Sequence, residues 1–262
     1  MKTKLHFTAS LIALFCVATS CTYFENPKRI DHNIQTDTLS INKILEDTSK
    51  MMIAELPVYF DSTQVLIMPV GLIDLNSINK GSGRYKEKLS SSKNRKYDDE
   101  NIYSVVARVT GNDYINGNIT NLIFEDLSKS DSKPNVLTNK VINISSVEYL
   151  RSLAKKTNRH YLFYYVYDRD SNGDGELNSN DVLSIYISNL DGTEFNKITK
   201  DKEDFDSGKW IPFASRYYFR TIEDTNKDGV FDKNDKYHYY YIDFAKEPYQ
   251  ITHLNPIDMI KP

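Results

Sequence analysis

Two acidic segments of twelve residues carry the side chains whose types and spacing could do chemistry. The first reads DSNGDGELNSND over residues 170–181, and the second reads DTNKDGVFDKND over residues 224–235. In both, oxygen-bearing side chains stand at positions 1, 3, 5, 9 and 12, and glycine stands at position 6. This spacing allows one loop to wrap around a cation, because the glycine permits a sharp turn and position 7 adds a backbone carbonyl.

The candidate ligands are all oxygen atoms, which indicates a hard cation. The absence of His and Cys from both segments disfavours zinc and copper. Seven flexible oxygen contacts suit calcium better than magnesium, which requires strict octahedral geometry. We therefore expect two calcium sites. The expected ligands are Asp170, Asn172, Asp174, the Glu176 carbonyl, Asn178 and Asp181 in the first, and Asp224, Asn226, Asp228, the Val230 carbonyl, Asp232 and Asp235 in the second.

The alternative is that both segments are simple Asp/Asn/Gly turns, which are common between strands. Two full matches in the same register favour calcium over that alternative. The first segment offers three ligand carboxylates and the second offers four, so we expect the second to bind calcium more tightly. Aspartate at position 12 has a shorter reach than glutamate, and extracellular sites of this kind bind at about 10⁻⁴ to 10⁻³ M.

The pattern D-x-N-x-D-G-x-Φ-[ND]-x-x-D, where Φ is apolar, resembles the EF-hand-type calcium loop of dockerins. That resemblance implies a helix after position 12. The residues that follow instead read VLSIYIS (182–188) and YHYYYID (237–243), with the alternation typical of strands. We therefore expect each calcium loop to lie within a β-hairpin. Its expected role is structural, because calcium would neutralise carboxylates that otherwise repel one another.

The N-terminus, MKTKLHFTASLIALFCVATSC, indicates export. A short basic start precedes an apolar stretch that is too short to span a bilayer, which is typical of a secretory signal peptide. Residues 18–21, ATSC, resemble the lipobox of bacterial lipoproteins. The resemblance implies lipidation of Cys21 and, with Thr22 rather than Asp following, an outer-membrane lipoprotein of a Gram-negative bacterium that faces the periplasm or the exterior. The alternative is an ordinary signal peptide.

Cysteine and charge usage limit the remaining chemistry. The two cysteines are Cys16 and Cys21, so the mature domain is expected to depend on its core and on bound metal instead of disulfides. Without residues 1–20 the formal charge changes from 33 − 36 = −3 to 31 − 36 = −5. A mildly acidic chain gives no reason to expect nucleic-acid binding. The expected partners are a membrane, through lipidated Cys21, and an unidentified protein or glycan.

Composition predicts a strand-rich chain, with 19 tyrosines and 12 phenylalanines against one tryptophan. We expect a signal peptide over 1–20, a tether and lead-in over 21–56, and a β-repeat domain over 57–262. Within the last, the polar Ser/Lys-rich residues 77–100 are expected to form a mobile loop. Apolar spacing over residues 39–55 partly suits a helix.

The two loops belong to a longer repeat of some 54 residues. Aligning them also aligns Phe163 with Tyr217, and short returns end in NVLT, NKIT and YQIT. This pattern resembles the blade repeat of TolB-type β-propellers over about residues 100–253. The resemblance implies an all-β, propeller-like fold of antiparallel four-stranded blades, four to five in number, in a complete or an incomplete ring. The alternative is a meander of twisted antiparallel sheets.

Catalytic signatures such as HExxH and GxSxG do not occur in the sequence. Strand histidines such as His238 are more often packed than catalytic. Asp168 and Glu223 could form a glycosidase pair or could support the calcium ligands. We therefore expect a non-catalytic binding or scaffold module. The alternatives are a carbohydrate-active propeller enzyme and a dockerin-like assembly module, which would require helices after Asp181 and Asp235.

Overall fold

A computed structural model describes residues 27–33, 48–75 and 106–260 of the protein. The expected lipidation site and the expected mobile loop lie outside these ranges. No helix of the described ranges is long and apolar enough to cross a membrane. The β-strands are β1 (Lys50–Ala54), β2 (Val65–Asp74), β3 (Ala107–Thr110), β4 (Tyr114–Ile119), β5 (Asn121–Asp126), β6 (Asn135–Val136), β7 (Asn143–Tyr149), β8 (Tyr161–Tyr167), β9 (Leu183–Asn189), β10 (Asn196–Lys197), β11 (Glu203–Ile211), β12 (Arg216–Glu223), β13 (Lys236–Asp243) and β14 (Gln250–Leu254). An α-helix, α1 (Arg151–Thr157), follows β7, and 3₁₀ turns occupy Pro212–Ala214 and Asp258–Ile260.

These strands form three sheets, and each pair of neighbouring strands is antiparallel. Sheet 1 has the order β1-β2-β5-β6, sheet 2 has the order β10-β9-β8-β7-β4-β3, and sheet 3 is the simple meander β11-β12-β13-β14. The predicted all-β, antiparallel fold is confirmed.

Sheet 2 is the middle layer and is buried on both faces. Along β8, Leu162, Tyr164 and Val166 belong to the core shared with sheet 1, whereas Phe163 belongs to the core shared with sheet 3. Successive side chains of a strand point to opposite faces, so a strand between two cores must be apolar at every position. This explains the uninterrupted sequence YLFYYVY, and each fully buried apolar side chain contributes about 1.5–3 kcal/mol.

The two halves of the sequence repeat face each other across the core between sheets 2 and 3. Phe163 and Tyr217, which the repeat aligns, have ring centroids 4.6 Å apart. The hydroxyls of Tyr165 and Tyr217 are 3.2 Å apart. Side chains at equivalent positions of the two repeats therefore point towards each other, into the core between sheets 2 and 3.

The helical spacing over residues 39–55 does not give a helix in its described part, residues 48–55. Residues 50–54 form β1, which pairs with β2 and places Ile53 opposite Gly71. Most of β1 is exposed, so the apolar spacing does not correspond to a buried face. Pairing with β2 provides hydrogen bonds for its backbone instead.

Candidate metal centres

The first acidic loop connects β8 to β9 and is curled by hydrogen bonds from its own backbone. Asp170 Oδ2 accepts the N–H of Gly175 at 2.8 Å. At the other end, Asp181 accepts the N–H of Ser171 at 2.7 Å and that of Asn178 at 2.9 Å. Gly175 has a φ of +83°, a conformation that glycine adopts without steric cost. The first and last acids are thus drawn into one turn of chain.

The second loop connects β12 to β13 and repeats these bonds position by position. Asp224 Oδ2 accepts the N–H of Gly229 at 2.8 Å. Asp235 accepts the N–H of Thr225 at 3.1 Å and that of Asp232 at 2.9 Å. Gly229 has a φ of +81°. The two loops have identical residues at positions 1, 3, 5, 6, 11 and 12, and they form the same backbone hydrogen bonds.

The middle ligand positions are also arranged alike in the two loops. Asn172 Oδ1 accepts the N–H of Asp174 at 2.9 Å, and Asn226 Oδ1 accepts the N–H of Asp228 at 2.9 Å. Each side chain bends the backbone by bonding to the residue two positions later. These hydrogen bonds curl the two loops in the same way. Within the described residues, however, no three carboxylates of either loop each have an oxygen within 4.8 Å of the other two. Calcium binding at these residues therefore stays a prediction.

Asp224 at position 1 of the second loop carries an unsatisfied oxygen. Its side chain is 0 % exposed, and its buried Oδ1 accepts no hydrogen bond from the residues that the structure describes. Burial raises the pKa of Asp224, but His32 Nε2 at 2.8 Å and the N–H groups of Gly229 and Lys227 outweigh it and hold the pKa below its ordinary value. The carboxylate is thus charged, and a buried charged oxygen without a partner is costly. A cation at the loop would offset that cost.

In the first loop the fully buried carboxylate is the one at position 12. Asp181 is 0 % exposed, and its burial raises the pKa against the opposing effect of the N–H bonds from Asn178 and Ser171. Position 1, Asp170, is only half-buried. The two loops therefore share a backbone conformation but shield different ligands from water.

A short segment of the expected tether lies between the two loops; residues 28–33 are called the strap below. The N–H of Ile30 donates to the carbonyl of Gly229 in the second loop at 3.0 Å. The N–H of Asp31 donates to the carbonyl of Ser171 in the first loop at 2.7 Å. The strap thus contacts both candidate metal loops through its backbone.

The strap is also fixed by side chains. Ile30 is 5 % exposed, and Lys28 Nζ lies 3.0 Å from Asp204 Oδ1 in sheet 3. The apolar cluster beneath the strap consists of Ile30, Val182, Ile222 and Phe231. Sequence reasoning missed this docking, because a single apolar residue in a polar lead-in shows no periodicity.

Asp168 and Glu223 have different hydrogen-bond and ion-pair partners. Asp168 accepts a hydrogen bond from the hydroxyl of Tyr186 at 2.7 Å and pairs with Lys197 at 2.6 Å. Glu223 lies in sheet 3, where its Oε2 is 2.7 Å from Nε2 of His238. Each acid therefore has partners of its own.

Glu223 and His238 belong to a further cluster that sequence reasoning did not assemble. One possible ligand atom from each of Glu203, Glu223 and His238 lies within 4.8 Å of the other two. The three residues come from three different strands, so neighbouring positions in the sequence carry no sign of the cluster.

Comparisons with known proteins identify no relative of this chain. No family model, no curated protein and no solved structure matches the chain. The resemblances to dockerin loops, to the lipobox and to propeller blades are therefore expectations from sequence alone, and the functional proposal depends on the geometry of the loops.

Proposed function

We propose that the protein is a calcium-binding lipoprotein of the bacterial cell envelope, a non-catalytic binding or scaffold module whose two calcium loops stabilise its β-repeats. The observation that carries the proposal is the buried Oδ1 of Asp224, which accepts no hydrogen bond from the described residues. It belongs to a loop that is curled by the same backbone hydrogen bonds as its counterpart.

The donor set of each loop fits calcium. A carboxylate has about four lone-pair positions, and the N–H bonds to Asp170 and Asp224 occupy only some of them. The side chains and one carbonyl per loop offer oxygen alone, which a hard cation prefers. When bound, calcium would neutralise the clustered carboxylates and fix the connection between two strands.

The strap relates the calcium loops to the proposed membrane anchor. Cys21 and Lys28 are 28 − 21 = 7 residues apart, a distance that an extended chain covers with at most about 25 Å. Lys28 is held at sheet 3 by Asp204. Lipidation of Cys21 would therefore keep the end of the domain that bears the loops close to the membrane surface.

A calcium-dependent melting curve, with an EDTA control, tests the central proposal. We expect the melting temperature to rise at millimolar calcium, and no rise would refute calcium binding as the stabilising function. Incorporation of labelled fatty acid into the full chain, compared with Cys21→Ser, tests the anchor separately. Equal incorporation by both chains would refute lipidation at Cys21.

Of the alternatives, dockerin-like assembly has the least support. Strands β9 and β13 follow the loops where that function requires helices. A glycosidase that uses Asp168 and Glu223 is disfavoured by the separate partners of these acids.

For the finer fold, we propose that sheet 3 is a blade-type unit, because its four antiparallel strands are consecutive in the chain. Sheet 1 also has four strands, but β3 and β4 between its strands β2 and β5 belong to the six-stranded sheet 2. A closed propeller has about four to eight blades, so the proposal concerns sheet 3 alone and not closure of a ring.

A further inference from the structure

We propose that Glu203, Glu223 and His238 form a metal site of a second class, for a divalent transition metal of the Zn²⁺ type. This site would be separate from the calcium loops and does not depend on them. Its basis is the convergence of two carboxylates and one imidazole, with a ligand atom of each within 4.8 Å of the other two.

The strand register of sheet 3 places these three side chains on one face. Glu203 of β11 is directly opposite Glu223 of β12, and His238 of β13 is directly opposite Thr221 of β12. Thr221 and Glu223 are two positions apart on β12, so they share a face of the sheet. The candidate ligands are therefore held by three hydrogen-bonded strands and not by a loop.

Two hydroxyls orient the Glu203 carboxylate. The Thr221 hydroxyl donates to Oε2 at 2.6 Å, and the Tyr240 hydroxyl donates to the same oxygen at 2.9 Å. Glu203 itself is only 4 % exposed. Hydrogen bonds of this kind, from a neighbouring group to a ligating carboxylate, are the usual outer support of a protein metal site.

The charge balance of the cluster favours a cation. Like charges directly opposite each other on neighbouring strands destabilise a sheet, and Glu203 and Glu223 are such a pair. His238 Nε2 lies 2.7 Å from Glu223 Oε2. Lys200 Nζ lies 3.6 Å from Glu203 Oε1, but its side chain is 65 % exposed, which weakens its effect. A divalent ion would neutralise both carboxylates and use the imidazole nitrogen.

The ligand types select an ion different from calcium. Calcium takes oxygen ligands, whereas imidazole suits zinc, copper, iron and nickel. The Glu223 side chain is 45 % exposed, so the cluster is open to water on that side. Three protein ligands with an open side are the arrangement in which zinc retains a water molecule.

Zinc titration of the calcium-saturated full-length chain tests this site. Calcium at about 10 mM exceeds the usual dissociation constants of extracellular loops, so the loops are filled before Zn²⁺ is added. We expect one equivalent of Zn²⁺ to bind by calorimetry, and Co²⁺ to give the visible absorption of an ion with a nitrogen ligand. Glu203→Gln and His238→Gln should abolish binding, and Thr221→Val should weaken it about tenfold through loss of an orienting bond.

His253 provides the matched control. Its ring centroid is 5.9 Å from that of His238, yet it is exposed and stands outside the three-residue cluster. His253→Ala should retain zinc binding. Loss of binding in this variant would overturn the proposal in favour of a surface histidine pair.

Two further outcomes would overturn the site. One is the lack of stoichiometric Zn²⁺ binding by the calcium-saturated chain, and the other is unchanged binding by Glu223→Gln, which alters a partly exposed side chain and should leave the fold intact. Melting curves in calcium without zinc show whether each variant is folded. Those curves also measure stabilisation by calcium. Failure of the zinc proposal can therefore be distinguished from failure of the calcium proposal.

Discussion

Replacing Asp224 by asparagine removes one negative charge from the second loop while keeping the size of the side chain. The side chain of Asp224 is buried, and its Oδ1 accepts no hydrogen bond from the part of the chain that the structure describes, so a bound calcium ion would give this oxygen a partner. The N–H of Gly229 can still donate to the remaining carbonyl oxygen of the asparagine. We therefore expect Asp224→Asn to fold but to bind calcium weakly at this loop.

The expected effect follows from the mass-action stabilisation of the native state. At 10 mM calcium and dissociation constants of about 10⁻⁴ to 10⁻³ M, each site adds about 1.4–2.7 kcal/mol to the free energy of unfolding. Two sites then add about 3–5 kcal/mol, and at about 2–4 °C per kcal/mol the melting temperature should rise by about 6–20 °C. Asp224→Asn should lose at least half of this rise, because the second loop is expected to bind calcium more tightly.

Differential scanning calorimetry in EDTA and in calcium measures that rise for each variant. Since the two conditions are compared within one variant, any change in its stability in EDTA cancels. Asp170→Asn tests the first loop, and it should lose less than Asp224→Asn because the first loop has fewer carboxylates. Asp191→Asn is the control, because Asp191 accepts the N–H of Thr193 at 3.1 Å in a turn outside both loops.

The reasoning would be refuted if Asp224→Asn kept the full calcium-dependent rise of the unaltered chain. The proposed order of affinities would be wrong if Asp170→Asn lost the larger share. A reduced rise in Asp191→Asn would show that calcium acts on exposed carboxylates in general and not on the loops.

Three further changes test the strap, a buried acid and the central core. Ile30→Ala should lower the free energy of unfolding by about 2–5 kcal/mol and weaken calcium binding at the second loop; calorimetric titration checks this, and unchanged affinity would contradict a role for the strap. Burial raises the pKa of Glu148 against the bond from Tyr114, so stability should fall as pH rises from its ordinary pKa of about 4.3 through the raised one. The free energy of unfolding of Glu148→Gln, measured by denaturation over the same pH range, should lack this fall. A pH profile parallel to that of the unaltered chain would refute the prediction. Leu162→Ala, at a side chain that is 0 % exposed, should cost about 2–5 kcal/mol in urea denaturation, and a cost near zero would contradict the burial of sheet 2 against sheet 1.

The conformation of the loops could be predicted from sequence because its causes are local. The early turns are formed by Asp or Asn side chains that bond two to five residues ahead, as Asn172 does to Asp174 and Asp170 does to Gly175. The last acid of each loop bonds back to positions 2 and 9 of the same loop. Glycine at position 6 supplies a left-handed backbone conformation that other residues adopt at a cost. Position 4 also has a positive φ in both loops, at Gly173 and at Lys227. Twelve residues therefore contain nearly all the information that places the candidate ligands.

The three-residue cluster of sheet 3 could not be predicted in this way. Glu203 and His238 are 238 − 203 = 35 residues apart, and only the registers of β11, β12 and β13 bring them to one face. Register depends on which faces become buried against sheet 2. A strand pattern alone indicates alternation but not the partner of each residue.

If both loops bind calcium as proposed, the strap predicts a coupling between them that neither loop sequence contains. Its backbone donates to Ser171, position 2 of the first loop, and to Gly229, position 6 of the second. The N–H of Ser171 is itself bound by Asp181, the last ligand of its loop. An ion that orders one loop would therefore also order the strap. Less conformational entropy would then be lost when the second ion binds. Because such coupling is reciprocal, calcium at either loop should raise the affinity of the other, and sheets 2 and 3 would be joined at this end by metal as well as by their apolar core.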